Sequence, residues 1–432
     1  FSTSYQFNYF DPYYTIDGVS RGFGLSYTQS DYAELNLAAF STNQVNANVS
    51  YSYPLGETQR LGFNLGITKT DIDKGYGPVQ EIKSSPDLIP GINNYIAVPP
   101  RYRSFFDPVT GEIFPISDSV IAPISALPPT AFNQKKGFLD RDGSQFLNYN
   151  LSITWSESTL NRGQFPTAGM TQSLALELAV PGSEVTFYRL SYFREQFHPI
   201  FGEWIIHSRV DMGYGDGYGS TEQLPFFQNF TAGGLGSIRG FERNTLGPKA
   251  TFPERYLTTN TQFVKGADGN IALDIFGDPV LDASSDLAYI LQQAVDDEGA
   301  RLFDDTGLPI FEPVIDSQQL YTGEPQPFGG NIKAIGTLEL LFPLPFIEDR
   351  SRVRSAIFVD AGNVFSSYCS VEQERLNNCT GFELDGFKYS AGISVSWVSG
   401  ALGIMSFSLS QPFNTTDVDE TEMFQFTMGN TF

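Results

Sequence analysis

Apolar and polar side chains alternate with a period of two along most of this chain, the rhythm of strands with one wet and one dry face. Tyr5, Phe7 and Tyr9 alternate with Ser4, Gln6 and Asn8, and Val45, Ala47, Val49, Tyr51 and Tyr53 with Asn46, Asn48, Ser50 and Ser52. Leu61, Phe63, Leu65 and Ile67 oppose Gly62, Asn64, Gly66 and Thr68, while Leu147, Tyr149, Leu151, Ile153 and Trp155 oppose Asn148, Asn150, Ser152 and Thr154. Leu174, Leu176, Leu178 and Val180 repeat the pattern against Ser173, Ala175 and Glu177. The alternation predicts thirteen strands, at about 3–10, 18–28, 43–54, 60–70, 144–156, 170–180, 185–197, 203–214, 331–342, 352–365, 387–398, 402–412 and 423–432. A soluble sandwich alternates too. Three features favour a transmembrane barrel instead. The segments run to about ten residues, enough to cross a bilayer on the tilt. Their polar faces are small or uncharged, as a water-filled lumen tolerates. Tyr51, Tyr53, Trp155, Trp204 and Trp397 fall near segment ends, where an interfacial girdle lies.

No run approaches the roughly 18 apolar residues of a membrane helix. In hydrocarbon only helices and closed barrels satisfy every backbone polar group. The connections alternate between short turns and two long loops, at about 71–142 and about 215–330. The expected fold is therefore all-β, a transmembrane antiparallel β-barrel domain over residues 1–432, with long extracellular loops capping its lumen. Within the second loop, Ser284 to Gly299 has helical composition (Ala288, Leu291, Ala294, Val295) and predicts a short amphipathic helix. No charged and apolar leader opens the chain, so any export signal is expected to have been removed or to lie outside this sequence.

Composition sharpens the picture in two ways. Phe 38, Tyr 21 and Gly 41 give an aromatic, turn-rich profile suited to strands in lipid, and a formal charge of −23 argues against a nucleic-acid surface. Acidic runs at Asp296-Asp297-Glu298, Asp304-Asp305 and Asp417 to Glu422 read as solvated, repelling loops, with divalent-cation bridging to anionic headgroups as the lesser alternative. Cys369 and Cys379 lie close together in a polar stretch without histidine, which favours a loop-closing disulfide over a metal site. His198 and His207 are the only histidines, and no catalytic triad or paired-carboxylate arrangement can be built around them. No metal or cofactor is expected, and no enzymatic centre.

The long second loop carries Gly233-Gly234-Leu235-Gly236-Ser237-Ile238-Arg239-Gly240-Phe241-Glu242-Arg243-Asn244-Thr245-Leu246-Gly247-Pro248. Its glycines let the backbone turn sharply and approach another wall closely. A single guanidinium between Ile238 and Gly240 reads as an internal plug or latch, against the plainer reading of a glycine-rich surface loop. Alternation turns Glu339 inward, because Leu338, Leu340 and Phe342 take the lipid side. It turns Asp360 and Phe358 inward for the same reason, opposite Val359 and Ala361. A carboxylate facing lipid costs several kcal/mol.

These residues carry a resemblance. Ile238-Arg239-Gly240-Phe241 resembles the [V/I]RGF loop of the BamA family of outer-membrane-protein assembly factors, whose wider superfamily includes TamA and the two-partner-secretion transporters. Asp11 to Gly18 is similar to the family's early periplasmic turn, and Arg162-Gly163-Gln164-Phe165-Pro166-Thr167-Ala168-Gly169 to its mid-barrel turn. Gly213 to Gly217, Gly336 to Glu339, Val359 to Asn363 and the terminal Phe424 to Phe432 complete the set, in the family's order along nearly the whole chain.

The resemblance implies that Arg239, with Gly240 and Phe241, folds into the lumen and pairs with Glu339 and Asp360. It implies a final strand, Phe424, Phe426, Gly429 and Phe432, in which Gly429 kinks the wall and weakens a seam. It implies a bacterial outer-membrane location and a protein that folds and inserts nascent β-barrel proteins without nucleotide. The alternative is a polypeptide-translocating pore of the TamA or two-partner-secretion type. The implied partners are unfolded barrel substrates, partner lipoproteins held mainly through POTRA domains, and outer-membrane lipid with lipopolysaccharide. POTRA domains are not in this sequence. Phe1 matches the neighbourhood of the family's fourth strand, so its first strands, of about sixteen, are also expected outside it.

Overall fold

The computed structural model describes residues 2–35, 37, 40–74, 82, 95–97, 104–106, 113–115, 121–123, 137–250, 289–293, 311–313, 326–344, 352–369, 373, 379, 381–399, 403–416 and 418–429. The chain divides into two compact units. One comprises Phe1–Gly75, Asp142–Ala250 and Glu324–Phe432, the other Tyr76–Arg141 and Thr251–Gly323.

The larger unit is a 13-stranded sheet in which each strand pairs with its sequence neighbour, antiparallel throughout. Its strands are β1 (Ser2–Asp11), β2 (Ser20–Asp31), β3 (Phe40–Pro54), β4 (Gln59–Lys74), β5 (Gln145–Ser158), β6 (Gly169–Ala179) and β7 (Phe187–Phe201). They continue as β8 (Trp204–Gly217), β9 (Ile332–Phe342), β10 (Val353–Phe365), β11 (Lys388–Ser399), β12 (Gly403–Phe413) and β13 (Phe424–Gly429). Each strand expected from alternation is present. The chief departures are that β7, β8 and β4 run further than the pattern extends, and residues 430–432, with Phe432, lie outside the described part.

The two faces separate by chemistry. Phe7, Leu65, Leu338, Val359 and Phe424 are each more than half exposed, on the same outward parity as the rest of the apolar stripe. Large apolar side chains left open on every stave are what hydrocarbon, not water, accommodates. The inward parity is polar. Over β3 to β5 it carries Asn46, Asn48, Asn64, Thr68, Asn148 and Asn150 around a cavity of about 300 Å³. Asn46 and Asn150 both donate to the Thr68 hydroxyl, at 2.7 and 2.9 Å, and so cross-link neighbouring staves.

Residues 218–250 fold inward from the end of β8 and touch staves around the sheet. Phe226 packs edge-on against Phe40 at 4.7 Å, and Asn244 donates to the Leu35 carbonyl at 3.1 Å. On the other side, Gly240 and Phe241 pair with Glu422 and Thr421, just ahead of β13. Contacts at the start of β3 and just ahead of β13, ten strands apart in the order, mean that the sheet is curled around this segment. Gly213 admits the Phe230 ring, since a Cβ there would sit 2.6 Å from it.

The smaller unit contains a four-stranded sheet of Phe311–Pro313, Tyr289–Gln293, Tyr95–Ala97 and Ile121–Pro123, and a two-stranded one of Ser104–Phe106 with Ile113–Pro115. This corrects the helix expected over 284–299: Tyr289–Gln293 is a strand paired on both sides. Tyr289 and Ile290 are strand formers, and sheet pairing overrides the weak helical bias of the flanking alanines. The rest of that segment, and the acidic runs at 296–298 and 304–305, lie outside the described residues.

Candidate functional site

The site is laid out by strand register. Across β7 to β11 one inward row reads Phe197, His207, Glu339, Phe358 and Gly392, each directly opposite the next. The adjacent inward row reads Glu195, Arg209, Thr337, Asp360 and Ser390. Glu339 and Asp360 are thus diagonal neighbours on one wall, a spacing a single planar guanidinium can span.

Arg239 occupies that position. Its Nε and Nη2 donate to Asp360 Oδ2 and Oδ1 at 2.8 and 2.7 Å, a two-pronged pairing, and Nη1 donates to Glu339 Oε1 at 2.6 Å. Its backbone N–H also donates to Asp360, at 3.0 Å. The guanidinium carbon lies 3.3 Å from the centre of the Phe358 ring, which closes one face. Arg239 is 6% exposed and Asp360 0%. Burial alone would depress the guanidinium pKa, but the Asp360 hydrogen bonds and the charges of Asp360 and Glu339 outweigh it and hold it above its ordinary value. The cation is permanent, and it is the charge these acids are built to receive.

Backbone geometry delivers the arginine. Gly240 has φ +88°, and a Cβ there would approach the Ser410 hydroxyl to 3.3 Å, so a side chain at this position is strained. Ile238, Phe241 and Leu246 are fully buried, in one cluster with Phe230, Ala232, Ile335 and Val364. Phe241 therefore works as an apolar anchor beside the charged one, and truncating it to alanine costs about 3–5 kcal/mol.

Alternation had put Glu339, Asp360 and Phe358 inward, and the structure brings all three to Arg239. Three further participants are not tied to Arg239 by the sequence. Gln425 on β13 is buried, donates to the Phe241 carbonyl at 2.7 Å and accepts from the Gly240 N–H at 3.4 Å. His207 lies between Glu339 Oε2, 2.7 Å from Nδ1, and Glu195 Oε1, 2.9 Å from Nε2. Arg354 donates to the Pro166 carbonyl at 2.6 Å and lies over the Phe165 and Phe197 rings. The only sequence clue to His207 was its parity, inward like Glu195 and Glu339 on strands not yet known to be neighbours.

The final strand shows Phe424 and Phe426 outward and Gln425 inward. Its ladder with β12 keeps register from Leu409↔Phe424 to Ile404↔Gly429. Gly429 is the last described residue of the strand, so the course of the chain beyond it lies outside the described residues. Cys369 and Cys379 are disulfide-bonded, with Cα atoms 5.7 Å apart, in the connection between β10 and β11. Among the described residues no group of acids, histidines or cysteines could hold a metal ion.

Comparison with known proteins agrees with this architecture. The outer membrane protein assembly factor BamA of Neisseria meningitidis serogroup B is 26% identical over 439 residues, covering 98% of this chain and 40% of that protein. The crystal structure of BamA from Haemophilus ducreyi lacking POTRA domains 1–3 superimposes with a TM-score of 0.63 at 24% identity, covering 99% of this chain and 62% of that one. The chain thus spans less than two thirds of either relative. The model of the Omp85 superfamily domain matches residues 1–432. With that match, the 13-stranded antiparallel sheet and the lipid-facing stripe together, the chain belongs to the Omp85 superfamily, as an integral β-barrel of the bacterial outer membrane.

Proposed function

We propose that this barrel belongs to a factor that folds and inserts nascent β-barrel proteins into the outer membrane without nucleotide, and that Arg239 is its internal latch. The observation carrying this reading is the buried Arg239–Asp360–Glu339 contact, at 2.6–2.8 Å. The family and the similarity to a protein named for outer-membrane protein assembly support it. In this reading Gly240 and Phe241 carry the hold from β9 and β10 to the β12–β13 hairpin, through Gln425. The backbone of β13, last in the strand order, offers the groups along which an incoming strand pairs, with Phe424, Phe426 and Met428 turned outward beside it. The partners are unfolded barrel substrates, lipoproteins of the assembly machinery recruited through domains outside this chain, and outer-membrane lipid with lipopolysaccharide. No reaction chemistry is assigned, and no cofactor.

The test uses the full-length protein reconstituted in lipid vesicles with a urea-denatured outer-membrane barrel as substrate. Faster substrate folding than in empty vesicles, lost in Arg239→Ala and in Asp360→Arg, is the expected result. Folding no faster than in empty vesicles, together with a large steady ion conductance, points to the translocating pore instead.

A further inference from the structure

We propose that His207 is a positioning residue of this latch: held as an imidazolium between Glu195 and Glu339, it aims the Glu339 carboxylate at Arg239 and makes the hold on the loop depend on pH. The inference rests on the latch reading and adds to it a group and a condition.

Both ring nitrogens face carboxylate oxygens, Nδ1 at 2.7 Å from Glu339 and Nε2 at 2.9 Å from Glu195. A neutral imidazole has one N–H and one lone pair. In either tautomer the bare nitrogen would face an acceptor at contact distance, and only the doubly protonated ring satisfies both. Phe197 stacks on the ring at 4.4 Å and 9°, which fixes its plane. Glu339 then gives Oε2 to His207 and Oε1 to Arg239, so its carboxylate is held at both oxygens. Deprotonation leaves one N–H for two carboxylates, and with it on Nε2 the Glu339 carboxylate is held through Arg239 alone.

Charges of both signs surround the ring. Glu195 faces it from β7, Glu339 from β9, with Asp360 on β10 one row further. Arg239 reaches in from the loop, Arg354 from β10 acts on both glutamates, and Arg209 on its own strand acts on Glu195. Arg209 also lies 3.8 Å from Asp211, which Lys333 pairs at 2.7 Å. Counted together, Glu195, Glu339, Asp360 and Asp211 are matched by Arg239, Arg354, Arg209 and Lys333, so it is the two carboxylate contacts at the ring nitrogens, not net charge, that call for the imidazolium. His207 is 7% exposed, which leaves its ring nitrogens these two carboxylates as partners.

His198 is exposed near the end of β7, and the ¹⁵N-histidine spectrum of the full-length protein in lipid nanodiscs, compared with that of His207→Gln, identifies the His207 ring by difference. At about pH 8, where an ordinary imidazole is neutral, His207 is expected to show two protonated nitrogens. A single neutral tautomer at His207 under those conditions overturns the proposal.

Proteolysis of the 218–250 segment supplies the functional arm. Wild type is expected to be cleaved about tenfold faster at about pH 10 than at about pH 7, with His207→Gln fast at both and His207→Arg slow at both. Lys249, whose pKa burial pulls down despite Glu420, shifts stability in the opposite direction and persists in every His207 variant. If Arg239→Ala leaves cleavage unchanged, the latch itself fails. If Arg239→Ala opens the loop while wild type and His207→Gln match at all pH values, the latch stands and His207 has no part in it.

Discussion

Asp360 accepts from Arg239 at Nε, at Nη2 and at the backbone N–H, so one carboxylate fixes both the side chain and the main chain of the loop. A lysine has the charge but not the fork. Arg239→Lys is therefore expected to behave nearly as badly as Arg239→Ala, each lowering stability by about 3–5 kcal/mol, because both strand a buried carboxylate. Urea unfolding followed by tryptophan fluorescence measures this; full retention of stability in Arg239→Lys would show that charge alone suffices. Three residues on, Glu242 sits on the loop beside the acidic segment before β13. Burial, and then the charges of Glu420 and Glu422, push its carboxyl up. A raised folded pKa contributes stability below the ordinary carboxylate range that is lost as pH rises through the raised value. Acidification from neutrality should therefore tighten the pairing of Gly240 and Phe241 with Thr421 and Glu422, seen as slower amide exchange after correction for intrinsic rate. Glu242→Gln should remove that dependence and gain less than about 1 kcal/mol at neutral pH, the site being partly screened by solvent.

Among the elements, the β12–β13 hairpin depends on Gln425, a side-chain amide that bonds the loop backbone much as a neighbouring strand would. Gln425→Leu keeps its volume and removes both bonds. It should raise amide exchange in Thr421 to Thr427 while leaving the Arg239 contacts intact, a pattern opposite to that of Asp360→Asn. Reduction of Cys369–Cys379 should speed exchange only in the connection between β10 and β11, where the cross-link is worth about 2–3 kcal/mol to the local structure. Strands were the legible part of this sequence, since an outward apolar stripe writes itself as a period of two. So was the inward parity of Glu339 and Asp360, which follows from Leu338 and Val359 alone. Apart from Arg239, which the family resemblance implies, the partners of those acids were not, because they arise from register between strands far apart in the chain. Glu195 and Glu339 have 143 intervening residues and meet only through β8. Tyr289–Gln293 failed for a different reason: a short strand without clean alternation, flanked by alanines, resembles a helix until its sheet partners are known.

At the scale of the whole molecule, the loop touches staves from Leu35 and Phe40 round to Gln425, so its release would loosen the wall at many points together. Loss of assembly activity in Asp360→Arg should therefore be accompanied by increased exchange in strands that never contact Asp360, β3 and β5 among them. Confinement of the change to β9 and β10 would argue for a local brace only. A last consequence follows from β10. Arg354 grips the Pro166 carbonyl in the Arg162–Gly169 turn, and Asp360 on the same strand grips the loop, on the order of 20 Å further along at about 3.3 Å per residue. One rim of the sheet and its buried interior are thus mechanically in series through one stiff rod, and tension applied to the turn is transmitted to the carboxylate that anchors the plug.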